Sequence, residues 1–318
     1  MSDYASLERR LDQLCRAMPA FGASLAVIRD ERTVYTAAVG RYADQAMIVD
    51  TPIAVASLTK PLFAYGALKL IERGVLDLDA PLARYLPEPY LPDEPYLPLM
   101  TARHALSHTT GLPNWRAASG LRAATRPGAA FHYSTEGLLY LQAVVERLTQ
   151  EPLDDYVQHN LLKPFGMAHS RLVPEDLSIG RSYLPPGLRA YGGLSLHTTA
   201  SDYAQFMLEM LRADQGDEFR LAAATIEHML SPHVGVGDHD RLSWGLGWGL
   251  QDANKPEEAF WHFGVKSGRT HNFAIGCRAE RTGVVVLTSG GGGLNMCQDI
   301  AQIILGPEKS LPAFGWLL

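Results

Sequence analysis

Strand-like segments lie near both ends of this 318-residue chain, and a helical, proline-rich block separates them. Residues 24–29 and 33–39 are short apolar runs around the polar turn Asp30-Glu31-Arg32, which predicts a hairpin. Residues 242–250, 259–264, 271–277 and 283–289 read as further short strands parted by turn residues. Helical spacing predicts helices over 57–72 (closed by Gly74), 101–107, 134–148, 153–162, 201–212, 222–230 and 294–305. Between them Pro81, Pro87, Pro89, Pro92, Pro95 and Pro98 forbid long regular structure. Strands from both ends imply one sheet assembled from the two ends with helices packed on it, an α+β architecture. The expected division is a discontinuous sheet domain, 1–75 with 190–318, and a helical domain, 76–189, inserted between its halves.

Composition narrows the class. Charged residues make up 19% and hydrophobic ones 47%, as in a folded globular chain. A formal net charge of −6 argues against nucleic-acid partners, because phosphate contacts need a basic face. No apolar run has the length that a bilayer crossing requires, so no membrane partner is expected. The opening residues 1–10 lack a basic flank, an apolar stretch and a small-residue cleavage site. They read instead as an amphipathic helix with Leu7, Leu11 and Leu14 on one side, and the expected location is the cytoplasm. Cys15, Cys277 and Cys297 have neither zinc nor redox spacing and are expected to be buried free thiols.

The chemistry starts at Ser57-Leu58-Thr59-Lys60. Three residues apart on a helix, the hydroxyl and the amine share one face. A serine needs a neighbouring base to become a nucleophile, and a lysine kept neutral by burial can be that base. At a helix start, Ser57 also meets the positive end of the dipole, which favours developing negative charge. Among the lysines only Lys60 has a serine three positions before it. Alone, the spacing equally describes a helix N-cap serine beside a solvated lysine.

Three further segments carry weight: residues 101–113, a helix ending in a tight turn at His108-Thr109-Thr110-Gly111-Leu112-Pro113; Tyr133-Ser134-Thr135 at the lip of the next helix; and the strand ending in Trp261-His262-Phe263-Gly264. Together with Ser57-x-x-Lys60 the chain resembles the serine β-lactamase-like family, which includes class C β-lactamases, DD-peptidases and esterase relatives. Tyr133-Ser134-Thr135 falls on that family's Tyr-x-Asn element, and His262-Phe263-Gly264 on its Lys-Thr-Gly or His-x-Gly strand. Leu162-Lys163-Pro164-Phe165-Gly166-Met167 and Gly192-Gly193-Leu194-Ser195 match two more common stretches, in the family's order.

The resemblance implies the β-lactamase/transpeptidase-like fold, an antiparallel sheet flanked by helices, and an acyl-enzyme on Ser57. It implies a proton network of Lys60 and Tyr133, with Lys60 favouring phenolate character at Tyr133, and leaves open which of the two takes the serine proton. It implies an oxyanion hole from the backbone N–H groups of Ser57 and Val265, and substrate contacts at Thr135, His262, Phe263 and Gly264. No metal and no cofactor is expected; the partner is a small-molecule ester or amide, and the oligomeric state is left open.

Two departures bear on substrate. Thr135 stands where the family has an asparagine that contacts a substrate amide, and His262 replaces a lysine whose charge suits a substrate carboxylate. Lys266 or Arg269 is a candidate replacement for that charge. These favour a carboxylesterase, with β-lactamase, D-aminoacyl peptidase or amidase, and small-molecule acyltransferase as alternatives. His108 is expected to support the turn, and Trp115, Trp244 and Trp248 to pack in the core. Against an enzyme stands a catalytically inert binding protein on the same fold. Against a serine mechanism stands a zinc site on His104 and His108, four apart, although Ala105 is not the glutamate of His-Glu-x-x-His.

Overall fold

The computed structural model describes residues 4–18, 21–116, 120–173, 189–212, 217–255, 258–266, 269–290 and 293–306. The strands are β1 (Gly22–Arg29), β2 (Arg32–Tyr42), β3 (Gln45–Ala46), β4 (Ile53–Ala54), β5 (Arg171–Leu172), β6 (Leu196–Thr198), β7 (Val234–Gly235), β8 (Leu242–Trp244), β9 (Gly249–Gln251), β10 (Ala259–Lys266), β11 (Thr270–Cys277) and β12 (Thr282–Ser289). The helices are α1 (Tyr4–Ala17), α2 (Thr59–Glu72), α3 (Ala102–Leu106), α4 (Thr135–Thr149), α5 (Leu153–Val157), α6 (Ala200–Leu211), α7 (Ala223–Met229) and α8 (Gly293–Leu305).

Among the described residues, nine strands form one antiparallel sheet in the order β3-β2-β1-β12-β11-β10-β9-β8-β7. The two ends of the chain meet in its middle, where Leu25 of β1 pairs with Val286 of β12. The expected single sheet from both ends is therefore what forms. A smaller sheet, β4-β6-β5, was not anticipated; its strands are two or three residues long and carry no readable alternation. The expected strand 242–250 is two strands, β8 and β9, because the chain turns between them through Gly245 and Gly247 (φ +96°). The helix expected over 153–162 is α5 continued by a wider π turn, Gln158–Leu162.

Period-two alternation assigns each sheet face its own core. Leu25, Val27, Trp261, Phe273, Val284 and Val286 face α1 and α8, against Leu7, Leu11, Cys297 and Ile300. Ala26, Ile28, Phe260, Ala274, Val285 and Leu287 face the other way, into a core shared with α2, α4 and α6. The expected apolar side of α1 is buried as read. Of the thiols, Cys277 and Cys297 are buried, but Cys15 is only half-buried, because it sits off the Leu7-Leu11-Leu14 stripe. No described helix is long and apolar enough to cross a membrane.

Helix α2 runs through the interior and is apolar nearly all round, every residue from Thr59 to Leu70 being buried. Its entry is held by buried hydrogen bonds. The Thr59 hydroxyl donates to Ala56 O (2.6 Å) and accepts from Leu196 N–H (3.0 Å), and Tyr203 Oη donates to Leu58 O (2.9 Å). Thr59→Val keeps the shape but orphans the buried Leu196 N–H, a loss of about 1–3 kcal/mol, while Ala56 O keeps its bond from the Thr59 backbone N–H. Urea unfolding is expected to show a loss of at least about 1 kcal/mol; a variant as stable as the parent would contradict this reading of the entry.

Candidate active site

Ser57 lies in the middle of a 3₁₀ turn, Ala56–Leu58, that leads directly into α2. Ala56, immediately before it, is left-handed (φ +49°), a conformation that costs an alanine energy and that must be imposed by its surroundings. Those surroundings are identifiable. Thr270 Oγ1 and Asn272 Nδ2 both donate to Ala54 O, at 2.8 and 3.3 Å, and Val55 N–H donates to Leu196 O at 3.0 Å. Strand β10 presses on the same turn at Gly264: a Cβ there would stand 1.9 Å from Val55 O and 3.1 Å from the nitrogens of Ser57 and Leu58. Only glycine permits that approach.

Lys60, on the first turn of α2, is wholly buried, while Ser57 stays partly exposed. Lys60 Nζ lies 2.8 Å from Ser57 Oγ and donates to Gly193 O, also at 2.8 Å. Among the described residues no carboxylate compensates its charge, and burial brings the amine down from 10.5 to about 7. Tyr133 completes the group, with its ring centroid 5.1 Å from Lys60 Nζ. The phenol faces Ser57, but its buried Oη has no hydrogen bond of normal geometry among the described residues. Burial raises its pKa above the ordinary value, and the Ser57 hydroxyl offsets only part of that rise. The expected phenolate character at Tyr133 is therefore not found: desolvation outweighs what a half-neutral Lys60 can supply.

Tyr133 is placed by the segments around it. Ser134 caps α4, accepting from Gly137 N–H and donating to Pro113 O, both at 2.9 Å. Ser134 N–H in turn donates to His108 Nδ1 at 3.1 Å, which puts the His108 proton on Nε2. The His108 ring lies 4.4 Å from that of Tyr133, and burial holds its pKa well below the ordinary value. His108 thus supports the turn, as expected. His104 spends its Nδ1 on the Thr101 cap of α3, and no described His, Cys, Asp or Glu cluster is placed to hold a metal ion.

The other expected substrate contacts sit deeper than the sequence suggests. Thr135 is wholly buried, and its hydroxyl donates to Asn114 Oδ1 at 2.8 Å. His262 is wholly buried, and burial, followed by the Lys60 charge, brings its pKa to about 3. Phe263 is buried with its ring stacked 6.0 Å from that of Tyr133. Beside them Gly264 meets the Ser57 turn, and Val265 is half-buried one residue further on. Lys266 is half-buried and Arg269 exposed. Trp244 and Trp248 are core residues, but Trp115 is 45% exposed, because its loop crosses the surface.

Three participants escaped the sequence reading: Gly193 as the second acceptor of Lys60, Asn114 as the acceptor of Thr135, and Glu136. Glu136 is wholly buried and pairs with Arg116 at 2.7 Å, while Tyr90 Oη donates to the same carboxylate oxygen at 2.8 Å. Only the acidic residue in the first turn of a helix was a readable signal for it.

The arrangement sets a partly exposed hydroxyl against a buried amine able to take its proton. A Beta-lactamase family model matches residues 11–306. Esterase EstB of Burkholderia gladioli is 30% identical over 78% of this chain and 79% of its own length. Among solved structures, the octameric penicillin-binding protein homologue from Pyrococcus abyssi superposes with a TM-score of 0.79 at 21% identity, over 98% of this chain and 79% of that one. EstCE1, a hydrolase with promiscuous acyltransferase activity, superposes with a TM-score of 0.77 at 22% identity, over 95% of this chain and 99% of that one. The chain belongs to the β-lactamase family and has its penicillin-binding-protein-like fold; it is a serine hydrolase.

An uncompensated buried amine opposes folding. Between about 7 and 10.5 the unfolded chain holds a proton on Lys60 that the folded chain has released, so stability rises with pH across that window. Lys60→Met removes the effect. Its melting temperature is expected to exceed the parent's at pH 6, with the gap narrowing toward pH 9; a constant gap, or a less stable variant at pH 6, would contradict the depressed pKa.

Proposed function

We propose that the chain is a carboxylesterase that works through an acyl-enzyme on Ser57. The observation that carries the reading is the 2.8 Å contact between Ser57 Oγ and a buried lysine with a pKa of about 7, since such an amine is half neutral where an ordinary lysine is fully protonated. In this reading Lys60 Nζ takes the Ser57 proton as Oγ bonds to the carbonyl carbon. The oxygen of that carbonyl becomes the oxyanion, held by the backbone N–H groups of Ser57 and Val265. As the intermediate collapses, the leaving alkoxide takes a proton from the Tyr133 phenol, which recovers one from the Lys60 ammonium. A water then attacks the acyl ester by the same route in reverse and regenerates free Ser57.

The charge at the site favours a neutral ester over a substrate bearing a carboxylate. His262, in the position of the family's lysine, has a pKa of about 3 and is neutral at any ordinary pH. It offers no cation for a penicillin or a peptide C-terminus. The relative EstB, an esterase, and the structural neighbour EstCE1, a hydrolase with promiscuous acyltransferase activity, support the same reading.

A fluorophosphonate probe is expected to label Ser57, located by peptide mass spectrometry. Ser57→Ala is expected to keep the fold and lose at least about 10³-fold in kcat/KM on a short-chain p-nitrophenyl ester. Because the lysine must be neutral to act, kcat/KM of the parent rises with pH through a midpoint near 7. Lys60→Arg, permanently charged, should flatten that rise at a rate lower by about 10²–10⁴-fold. Full activity in Ser57→Ala, or labelling at another residue, would end the assignment.

A further inference from the structure

The carbonyl that accepts from Lys60 Nζ, Gly193 O, sits in a turn that closes on itself. Leu194 N–H and Ser195 N–H both donate to Tyr191 O, at 3.1 and 3.0 Å, and Tyr191 N–H donates to Ser195 Oγ at 2.9 Å. A side chain from outside the turn anchors it. Gln142 of α4, wholly buried, accepts from Gly192 N–H through Oε1 at 2.8 Å and donates from Nε2 to Ala190 O at 2.7 Å. A backbone N–H can only donate and a carbonyl can only accept, so the two partners together fix which end of the carboxamide is which. Nε2 also donates to Glu146 Oε1 at 3.0 Å, one turn on along α4, and that oxygen accepts from Leu153 N–H at 3.0 Å. Gln142 is itself held in place.

The turn is also pressed between two helices. A Cβ at Gly192 would stand 2.7 Å from the Phe63 ring of α2, and one at Gly193 would stand 2.7 Å from Thr135 Cγ2 of α4 and 3.5 Å from Lys60 Nζ. The Gly193 carbonyl therefore lies where α2 and α4 come together, one residue beyond the N–H that Gln142 holds. A neutral amine has two N–H bonds and one lone pair, and only the lone pair can take the Ser57 proton. With one N–H committed to Gly193 O, the lone pair can be directed at Ser57 Oγ.

We propose that Gln142 is a positioning residue: by holding Ala190 and Gly192 it sets the Gly193 carbonyl against Lys60, and so sets the direction from which the amine meets Ser57. This deepens the acyl-enzyme reading and rests on it. An acceptor favours the ammonium over the neutral amine, so drawing the carbonyl off Lys60 leaves an amine that is easier to deprotonate but worse aimed. Among the described residues the titratable groups facing Lys60 are Tyr133, His108 and His262, and all three are uncharged near neutral pH. Gln142 faces Glu146, whose carboxyl is pushed up by burial, with Asp154 and Arg189 beyond it.

The test follows the rate at which a fluorophosphonate labels Ser57 as a function of pH, on the intact parent and on Gln142→Met, which keeps the side-chain length and removes its hydrogen bonds. The parent is expected to show a midpoint near 7. In Gln142→Met the midpoint is expected to fall by about half a pH unit or more, because an ammonium gains more than an amine from the lost acceptor. The plateau rate is expected to fall by about tenfold or more. A merely structural role lowers the folded fraction and scales the whole profile without moving its midpoint. Val144→Ala, which opens a cavity beside the same helix, is expected to behave in that way. Should Gln142→Met fail to fold, Gln142→Asn decides: its carboxamide, one methylene shorter, keeps both partners only if the turn moves off Lys60, and the same lowered midpoint is expected. A midpoint equal to the parent's or higher, in whichever variant decides, overturns the proposal and leaves Gln142 a structural clamp. A parent whose Ser57 is not labelled defeats the acyl-enzyme reading and this inference with it, whereas a labelled parent and an unmoved midpoint defeat only the role of Gln142.

Discussion

A primary amine buried with no counter-ion among the described residues is the constraint on which the rest of the site depends. Among the described residues Lys60 Nζ bonds to Ser57 Oγ and Gly193 O, and neither is charged. Burial alone brings the amine to about 7, and the same charge helps to keep His262 and His108 neutral. The surroundings of Ser57 therefore hold two neutral imidazoles, a protonated phenol and one amine balanced between its two states. In such a set the amine is the group able to change protonation near neutral pH.

The fold makes that burial possible. Helix α2 is buried from Thr59 to Leu70, so a lysine on its first turn is held away from solvent beside the partly exposed Ser57. The sheet contributes by bringing the two ends of the chain together: β1 pairs with β12, and β10, two strands along, presses Gly264 onto the turn that carries Ser57. The middle of the chain supplies Tyr133 through the ordered caps at Thr101 and Ser134 and the His108 bond between them. Each part of the sequence contributes one component, and none is sufficient alone.

What could be read from the sequence was local. Ser57 and Lys60 are three apart, the Ser134 cap and the Gly111-Leu112-Pro113 turn are short signals, and the β1–β2 hairpin is marked by Asp30 and Glu31, both left-handed in the structure. The ends of α2 and α4 also fell within a residue or two of the helical pattern. What could not be read was set by distance along the chain or by burial. Thr135 meets Asn114 from 21 residues away, so its hydroxyl looked free to meet a substrate. His262 looked like a substrate contact, because nothing in Trp261-His262-Phe263 says that the ring is sealed. Tyr133 looked like a partner that Lys60 would ionise, because a sequence cannot report that desolvation acts on both groups at once. The strand expected through 242–250 ignored Gly245 and Gly247, whose turn separates β8 from β9.

The central claim is a property of one nitrogen and can be observed on it. Heteronuclear NMR of protein carrying ¹³C-labelled lysine, with the Lys60 resonance assigned by its absence from Lys60→Met, follows the protonation of that amine directly. The account requires a titration midpoint near 7, well below the ordinary 10.5. A Lys60 that remains protonated above pH 9 would contradict it.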